Sequence, residues 1–122
     1  MKVLIVDDSD ILRNHLQTIL SEMENVEIVG ESVDTEGAIK DIRKKKPNLV
    51  ILDIRIPGEG GIHILKMIKK KNSDIRVAIF TDYPYPQYRT KCMEIGADFF
   101  FDKSTETEKL IDTIKLLAKQ IY

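Results

Sequence analysis

Apolar residues along this chain come in two rhythms. Five short runs carry them back to back or in alternation: 2–6, 26–32, 48–52, 75–80 and 98–101. Between these runs they recur at spacings of three and four, which marks one face of a helix. Ile11, Leu12, His15, Leu16, Ile19, Leu20 and Met23 make the first such face, with Ser9 placed to cap it. Ala38, Ile39 and Ile42 make the second, which Pro47 stops. Ile62, Leu65 and Ile68 make the third. Pro86 opens a fourth helix and Gly96 closes it. Thr105-Glu106-Thr107-Glu108 has the spacing of a capping box and opens a fifth, with Leu110, Ile114, Leu117 and Ile121 on its face.

Strand and helix therefore alternate five times. The central strands are apolar on both faces, as strands are in a parallel sheet covered on both sides. Alternation this regular calls for right-handed crossovers. The expected fold is α/β, a doubly wound five-stranded parallel sheet in a three-layer (βα)5 sandwich. Such sheets bind ligands at the carboxyl ends of their strands, where strand order reverses. In the order 2-1-3-4-5 the first and third strands are neighbours there.

Composition narrows this without redirecting it. The chain has 122 residues, 43% of them apolar, which suits one domain with its own core. Nineteen basic against 20 acidic side chains leave a net charge of −1, so no general attraction to nucleic acid or anionic membrane exists. One cysteine, Cys92, excludes an internal disulfide and reads as a packed thiol in a helix. No apolar run approaches the ~20 residues of a membrane span, and no leader pattern opens the chain. A cytoplasmic location is expected. His15, His63 and the runs Lys44-Lys45-Lys46 and Lys69-Lys70-Lys71 read as helix exteriors.

The chemistry lies just past the strands. Asp7 and Asp8 follow the first, Asp53 the third, Thr81 and Asp82 the fourth, and Asp102 and Lys103 the fifth. Taken singly, an Asp after a strand is a cap or turn residue, and a Thr or Lys there is surface. Their coincidence at one edge is the signal. Two carboxylates ~4 Å apart repel by about 4 kcal/mol at an effective dielectric of about 20. A hard cation held through oxygens, Mg2+, relieves that and leaves room for a phosphoryl oxygen. Asp is a covalent acceptor of phosphoryl groups. Lys103 and Thr81 complete an anion pocket beside such a nucleophile.

This set of residues resembles the receiver domain of two-component response regulators, over the whole chain. The resemblance is carried by Asp7-Asp8 after VLIV, Asp53 after LVIL, Pro57, Thr81 after VAIF, Gly96-Ala97-Asp98 and Lys103. It implies a flavodoxin-like fold and one receiver domain over residues 1–122, with no output domain in them. It implies that Asp53 accepts a phosphoryl group from a sensor histidine kinase or phosphotransfer protein. It implies Mg2+ held by Asp7, Asp8, Asp53 and the Arg55 backbone carbonyl, with Thr81 and Lys103 on the phosphoryl oxygens. It implies a switch in which Thr81 moves toward the phosphate and the aromatic at position 100, here Phe100, follows inward. The surface of the fourth helix, fifth strand and fifth helix would change and meet a downstream protein or a second copy. Neither nucleic acid nor membrane is expected to bind this domain directly, and no substrate beyond its own phosphoryl group is turned over.

The chain departs from the family pattern in places. Gly58, Gly60 and Gly61 replace a tighter loop sequence and read as added mobility. Asp82 stands where a small residue is usual, so slower reaction with small phosphodonors is expected. Arg55 and Tyr83, each two residues past a site residue, flank the path of hydrolytic water and predict a long-lived phosphorylated state. Ser104 replaces a proline whose preceding bond is often cis, leaving cis and trans both open. Phe-Phe-Asp-Lys-Ser resembles a branch whose members carry C-terminal helix-turn-helix domains. Two other classes remain as alternatives. One is a pseudo-receiver that only binds proteins, favoured by Asp82 and the altered loop. The other is a Mg2+-dependent phosphatase, disfavoured because Arg55 occupies the place of its second Asp.

Overall fold

The computed structural model describes residues 1–71 and 74–120. Five strands and five helices alternate without exception: β1 Lys2–Val6, α1 Asp10–Ser21, β2 Glu27–Ser32, α2 Thr35–Lys45, β3 Leu49–Leu52, α3 Gly61–Lys71, β4 Arg76–Thr81, α4 Pro86–Ile95, β5 Phe99–Asp102 and α5 Thr107–Ala118. The strands form one parallel sheet in the order β2-β1-β3-β4-β5, as expected. Strand ends differ from the sequence reading by a residue: β2, β3, β4 and β5 each start one later, and β4 and β5 run one further, to Thr81 and Asp102.

Alternation along each strand sends side chains to two cores. Leu4, Val6, Val50, Leu52, Val77 and Ile79 pack with α2, α3 and Cys92 of α4. Val3, Ile5, Ile51, Ala78 and Phe80 pack with Leu16 and Leu20 of α1 and Leu110 and Ile114 of α5. Ser9 caps α1 by accepting the Leu12 N–H at 3.2 Å. Gly96, at φ +123°, ends α4 as its composition required.

Several expectations need correction. Ile11 is 85% exposed. Leu12, Leu16 and Leu20 define the buried side of α1, and at 100° per residue Ile11 falls well off their line. Thr105 does not cap α5; Glu106 is the N-cap residue and its carboxylate turns back to accept the Asp102 N–H at 3.0 Å. Lys69 is not a solvated helix end. Its ammonium donates to Asp98 Oδ2 and to the Ile75 carbonyl, both at 2.9 Å, joining α3 to the segment before β5. Lys45 likewise folds over the sheet edge to the Val29 carbonyl at 2.7 Å. None of Phe99, Phe100 and Phe101 is fully exposed: Phe100 and Phe101 are buried, and Phe99 stacks on Phe101. Ile121 lies outside the described residues.

The loop from Ile54 to Gly60 owes its glycines to geometry. Gly58 and Gly60 hold φ of +99° and +90°, where a side chain is strained. At Gly61 a Cβ would stand 2.0 Å from the Asp53 carbonyl oxygen. Thr35, the first residue of α2, pins the loop: its N–H reaches the Pro57 carbonyl at 3.0 Å and its hydroxyl accepts the Gly60 N–H at 2.9 Å. The loop is thus tied down at both ends, against the mobility its glycines suggested. Gly61→Ala should cost at least about 2 kcal/mol of stability by forcing the Asp53–Ile54 backbone aside, measured as a lower urea midpoint at unchanged m-value.

Candidate functional site

The β1–β3 pairing sets Val6 beside Leu52, and the two chains then leave the sheet together. Asp53 donates its N–H to the Val6 carbonyl at 3.0 Å, and Asp7 donates its own to the Ser32 carbonyl at 3.0 Å. Register alone therefore brings Asp7 and Asp53 side by side. With Asp8 they form a cluster whose ligand oxygens all lie within 4.8 Å of one another. Asp7 and Asp53 are buried, at 2% and 6% exposure, while Asp8 is exposed.

Lys103 reaches in from the end of β5. Its ammonium stands 2.5 Å from Asp7 Oδ2 and 2.9 Å from Asp53 Oδ2. The Lys103 N–H bonds the Thr81 carbonyl at 2.9 Å, which fixes its backbone to β4. The Lys103–Ser104 peptide bond is trans. The turn after it is held by Asp102, whose carboxylate accepts the Ser104 N–H at 2.8 Å. Asp7 is fully engaged, since Oδ1 also accepts the Ser9 N–H at 2.9 Å. Asp53 is less so: its Oδ1 is buried and makes no well-formed hydrogen bond, although the Arg55 backbone N–H comes near enough to the carboxylate to help lower its pKa.

Charge and burial compete here. Burial raises the Asp53 pKa above the ordinary carboxylate value, against the hydrogen bond and charge of Lys103, which lower it; Asp7 adds to the rise. Burial would lower the Lys103 pKa, but its bonds to Asp7 and Asp53 and their charges lift it above the ordinary lysine value. Three carboxylates against one ammonium leave two negative charges at the edge. A divalent hard cation matches that deficit. An all-oxygen donor set with an orphaned buried oxygen fits Mg2+. A shallow open depression lined by Asp8 and residues 54–60 lies beside the cluster.

The remaining residues singled out by sequence fall around this centre. Thr81 is fully buried, and its hydroxyl accepts the Tyr83 N–H at 3.0 Å. Phe100 is 5% exposed, with the Arg89 guanidinium 4.7 Å from its ring centre. The ring expected to swing inward is already inside. Asp82 is exposed, and no hydrogen bond or ion pair engages it among the described residues. Arg55 is exposed, and its guanidinium lies 3.9 Å over the Tyr83 ring, so the two residues expected at the rim do meet there. His15 is exposed, and His63 pairs with Glu59 at 3.3 Å; neither is at the centre.

Two contributors escaped the sequence reading. Arg13 donates to the Asp7 carbonyl at 2.6 Å and pairs with Glu31 at 3.2 Å and with Asp10, bracing the β1 end against β2. Its signal was available: it is the sole Arg or Lys of α1. Tyr88 lies in the same aromatic row as Tyr83, and hydrogen bonding with its side chain is the main reason the Arg55 pKa is raised.

Known proteins share this fold and family. Residues 3–115 match the family model for the response regulator receiver domain. The response regulator GacA of Pseudomonas aeruginosa is 30% identical over 123 residues, covering 100% of this chain and 58% of that protein. This chain thus spans little more than half of that relative. Among solved structures, a LuxR-family DNA-binding response regulator from Staphylococcus aureus superposes with a TM-score of 0.88 at 30% identity, covering 97% of this chain and 98% of that one. A CheX–CheY–BeF3–Mg complex from Borrelia burgdorferi gives 0.87 at 27% identity, covering 96% of this chain and 88% of that one. With the family model matched over residues 3–115 and the fold superposing on solved response regulators, the chain belongs to the response regulator receiver domain family of two-component signalling.

Proposed function

We propose that residues 1–122 form one receiver domain that accepts a phosphoryl group on Asp53 in a Mg2+-dependent reaction, from the phosphohistidine of a sensor histidine kinase or a phosphotransfer protein. The observation that carries this is Asp53 Oδ1: buried, without a well-formed hydrogen bond, in a carboxylate grouped with those of Asp7 and Asp8, while Lys103 holds the other oxygen. An oxygen so placed has a free lone pair for phosphorus. Asp7, Asp8, Asp53 and the Arg55 carbonyl would hold the ion, which supplies neutralisation of the charge on the transferred group.

The chain's own groups do the rest. A carboxylate oxygen of Asp53 attacks phosphorus as the P–N bond to the donor histidine breaks, and the bonding pair leaves with the imidazole nitrogen. Lys103, already between Asp7 and Asp53, carries the positive charge that meets a phosphoryl oxygen. The Thr81 hydroxyl can donate its proton to another, since at present it only accepts. Phe100 contributes as packing, held under Arg89. The readout surface is α4, β5 and α5, where Arg89, Glu106 and Lys109 form an ion-paired group open to a downstream protein or a second copy. No helix among the described residues is long and apolar enough to cross a membrane. The family is a signalling family, and the domain is proposed to catalyse only its own phosphorylation and dephosphorylation in the cytoplasm.

Three expectations test this reading and its tuning. Wild type incubated with Mg2+ and acetyl phosphate should gain one phosphoryl mass, and Asp53→Asn should gain none; equal labelling of both would discard Asp53 as acceptor. Asp82→Ala should speed labelling by acetyl phosphate, more at low salt than at high, because an exposed carboxylate repels an anionic donor through screened charge. An unchanged rate at low salt would remove that role. Arg55 and Tyr83 stack at the rim and would impede water, so Tyr83→Ala should shorten the phosphoaspartate lifetime. The decay of labelled protein after donor removal measures it, and an unaltered rate would remove the shielding role.

A further inference from the structure

We propose that the Arg55 side chain is a strap: through Tyr83 and Tyr88 it ties the loop after Asp53 to the start of α4, so that the state of the acidic pocket is read out as the position of α4. This rests on the phosphoacceptor reading above and adds the residues that carry the signal out of the site.

Four observations support it. Arg55 lies 3.9 Å over the Tyr83 ring, and the row continues through Tyr85 to Tyr88, with ring centres 6.5 and 5.9 Å apart. Tyr88 sits on α4 and packs partly into the core, so the row spans from the loop after β3 to the helix. Second, both ends of the strap begin at the pocket. Arg55 is two residues past Asp53, and the Tyr83 N–H is bonded to the Thr81 hydroxyl at 3.0 Å. The Thr81 hydroxyl can donate its own proton to a phosphoryl oxygen while still accepting from Tyr83, so a Thr81 drawn toward the phosphoryl group pulls on Tyr83 through that bond. Third, α4 is the least anchored helix. It buries only Cys92, while each of the other helices buries at least two residues. Fourth, the ring of β5 has little travel left, because Phe100 is already buried and has no hydroxyl to exchange partners. A signal leaving through packing must therefore use another aromatic group, and the Tyr83–Tyr88 row is the one in contact with the site.

Tyrosine emission reads this directly. The chain has no tryptophan and four tyrosines, three of them in the row; Tyr122→Phe removes the fourth. In that background, beryllofluoride with Mg2+ serves as the probe, and its occupancy is followed by fluorine NMR. Binding should change tyrosine emission, and at equal occupancy the change should be at least about threefold smaller in Arg55→Ala, where the stack is gone. Arg55→Lys should restore little, since an ammonium lacks the planar face that lies on the ring. An undiminished response in Arg55→Ala overturns the strap. So does binding in the parent with no change in emission, which leaves the phosphoacceptor reading standing. No beryllofluoride binding in the parent overturns both.

Discussion

Lys103 stands between two buried carboxylates, 2.5 Å from Asp7 and 2.9 Å from Asp53, and the site depends on that bridge. The sheet forces the two acids together, because β1 and β3 are hydrogen-bonded neighbours that end in register. Moving both out of water would be costly if they faced only each other. One ammonium shared between them lowers that cost but does not cancel the charge. The result is a pocket that folds yet stays short of positive charge. A cation or a charged donor group brought there meets a standing attraction, and the attraction comes from strand order before any loop is considered.

The loops keep that arrangement from relaxing. The natural escape for two crowded acids is to move the chain that carries one of them. Asp53 is denied that freedom by Gly61, whose N–H bonds the Ile54 carbonyl at 2.8 Å and whose missing Cβ lets α3 start against the Asp53 carbonyl. Asp7 is denied it by Arg13, which holds its carbonyl, and by the Ser9 N–H on its side chain. Thr35 extends the same restraint to the loop beyond Pro57. The acids are thus held in place by contacts from several separate segments.

The fold and the centre were legible because both follow from period and position. Strands apolar on both faces, helices at spacings of three and four, and polar residues at the ends of four of the five strands need no knowledge of partners. What escaped has a common cause: it depends on where a long side chain goes. Lys69 and Lys45 look like solvent charges in a run of lysines, yet each reaches a backbone carbonyl across an element boundary. Glycines at 58, 60 and 61 look like slack, because sequence does not reveal that a carbonyl oxygen occupies the space of a Cβ. Ile11 counted toward a stripe that the sheet does not face. Arg13 and Tyr88 act through contacts with segments far off in sequence, and period carries no information about those.

Energetic scale bears on how such a pocket could signal. The Thr81 hydroxyl now accepts from the Tyr83 N–H, a neutral hydrogen bond. Such a bond contributes about 1 kcal/mol net, and one to a charged oxygen about 1.5–3. The hydroxyl's own proton is free, so a bond to a phosphoryl oxygen would be added beside the first, a gain of about 1.5–3 kcal/mol. That margin is too small to rebuild a packed helix such as α3, which buries Ile64, Leu65 and Ile68. It is enough to bias α4, which fully buries only Cys92 and otherwise rests on the partly buried Tyr88 and Ile95 and on Arg89 over the Phe100 ring. Ring contacts of that kind are worth about 0.5–1 kcal/mol at exposed sites, less than the bond that would be added. The element able to respond is therefore the one held by forces no larger than the signal.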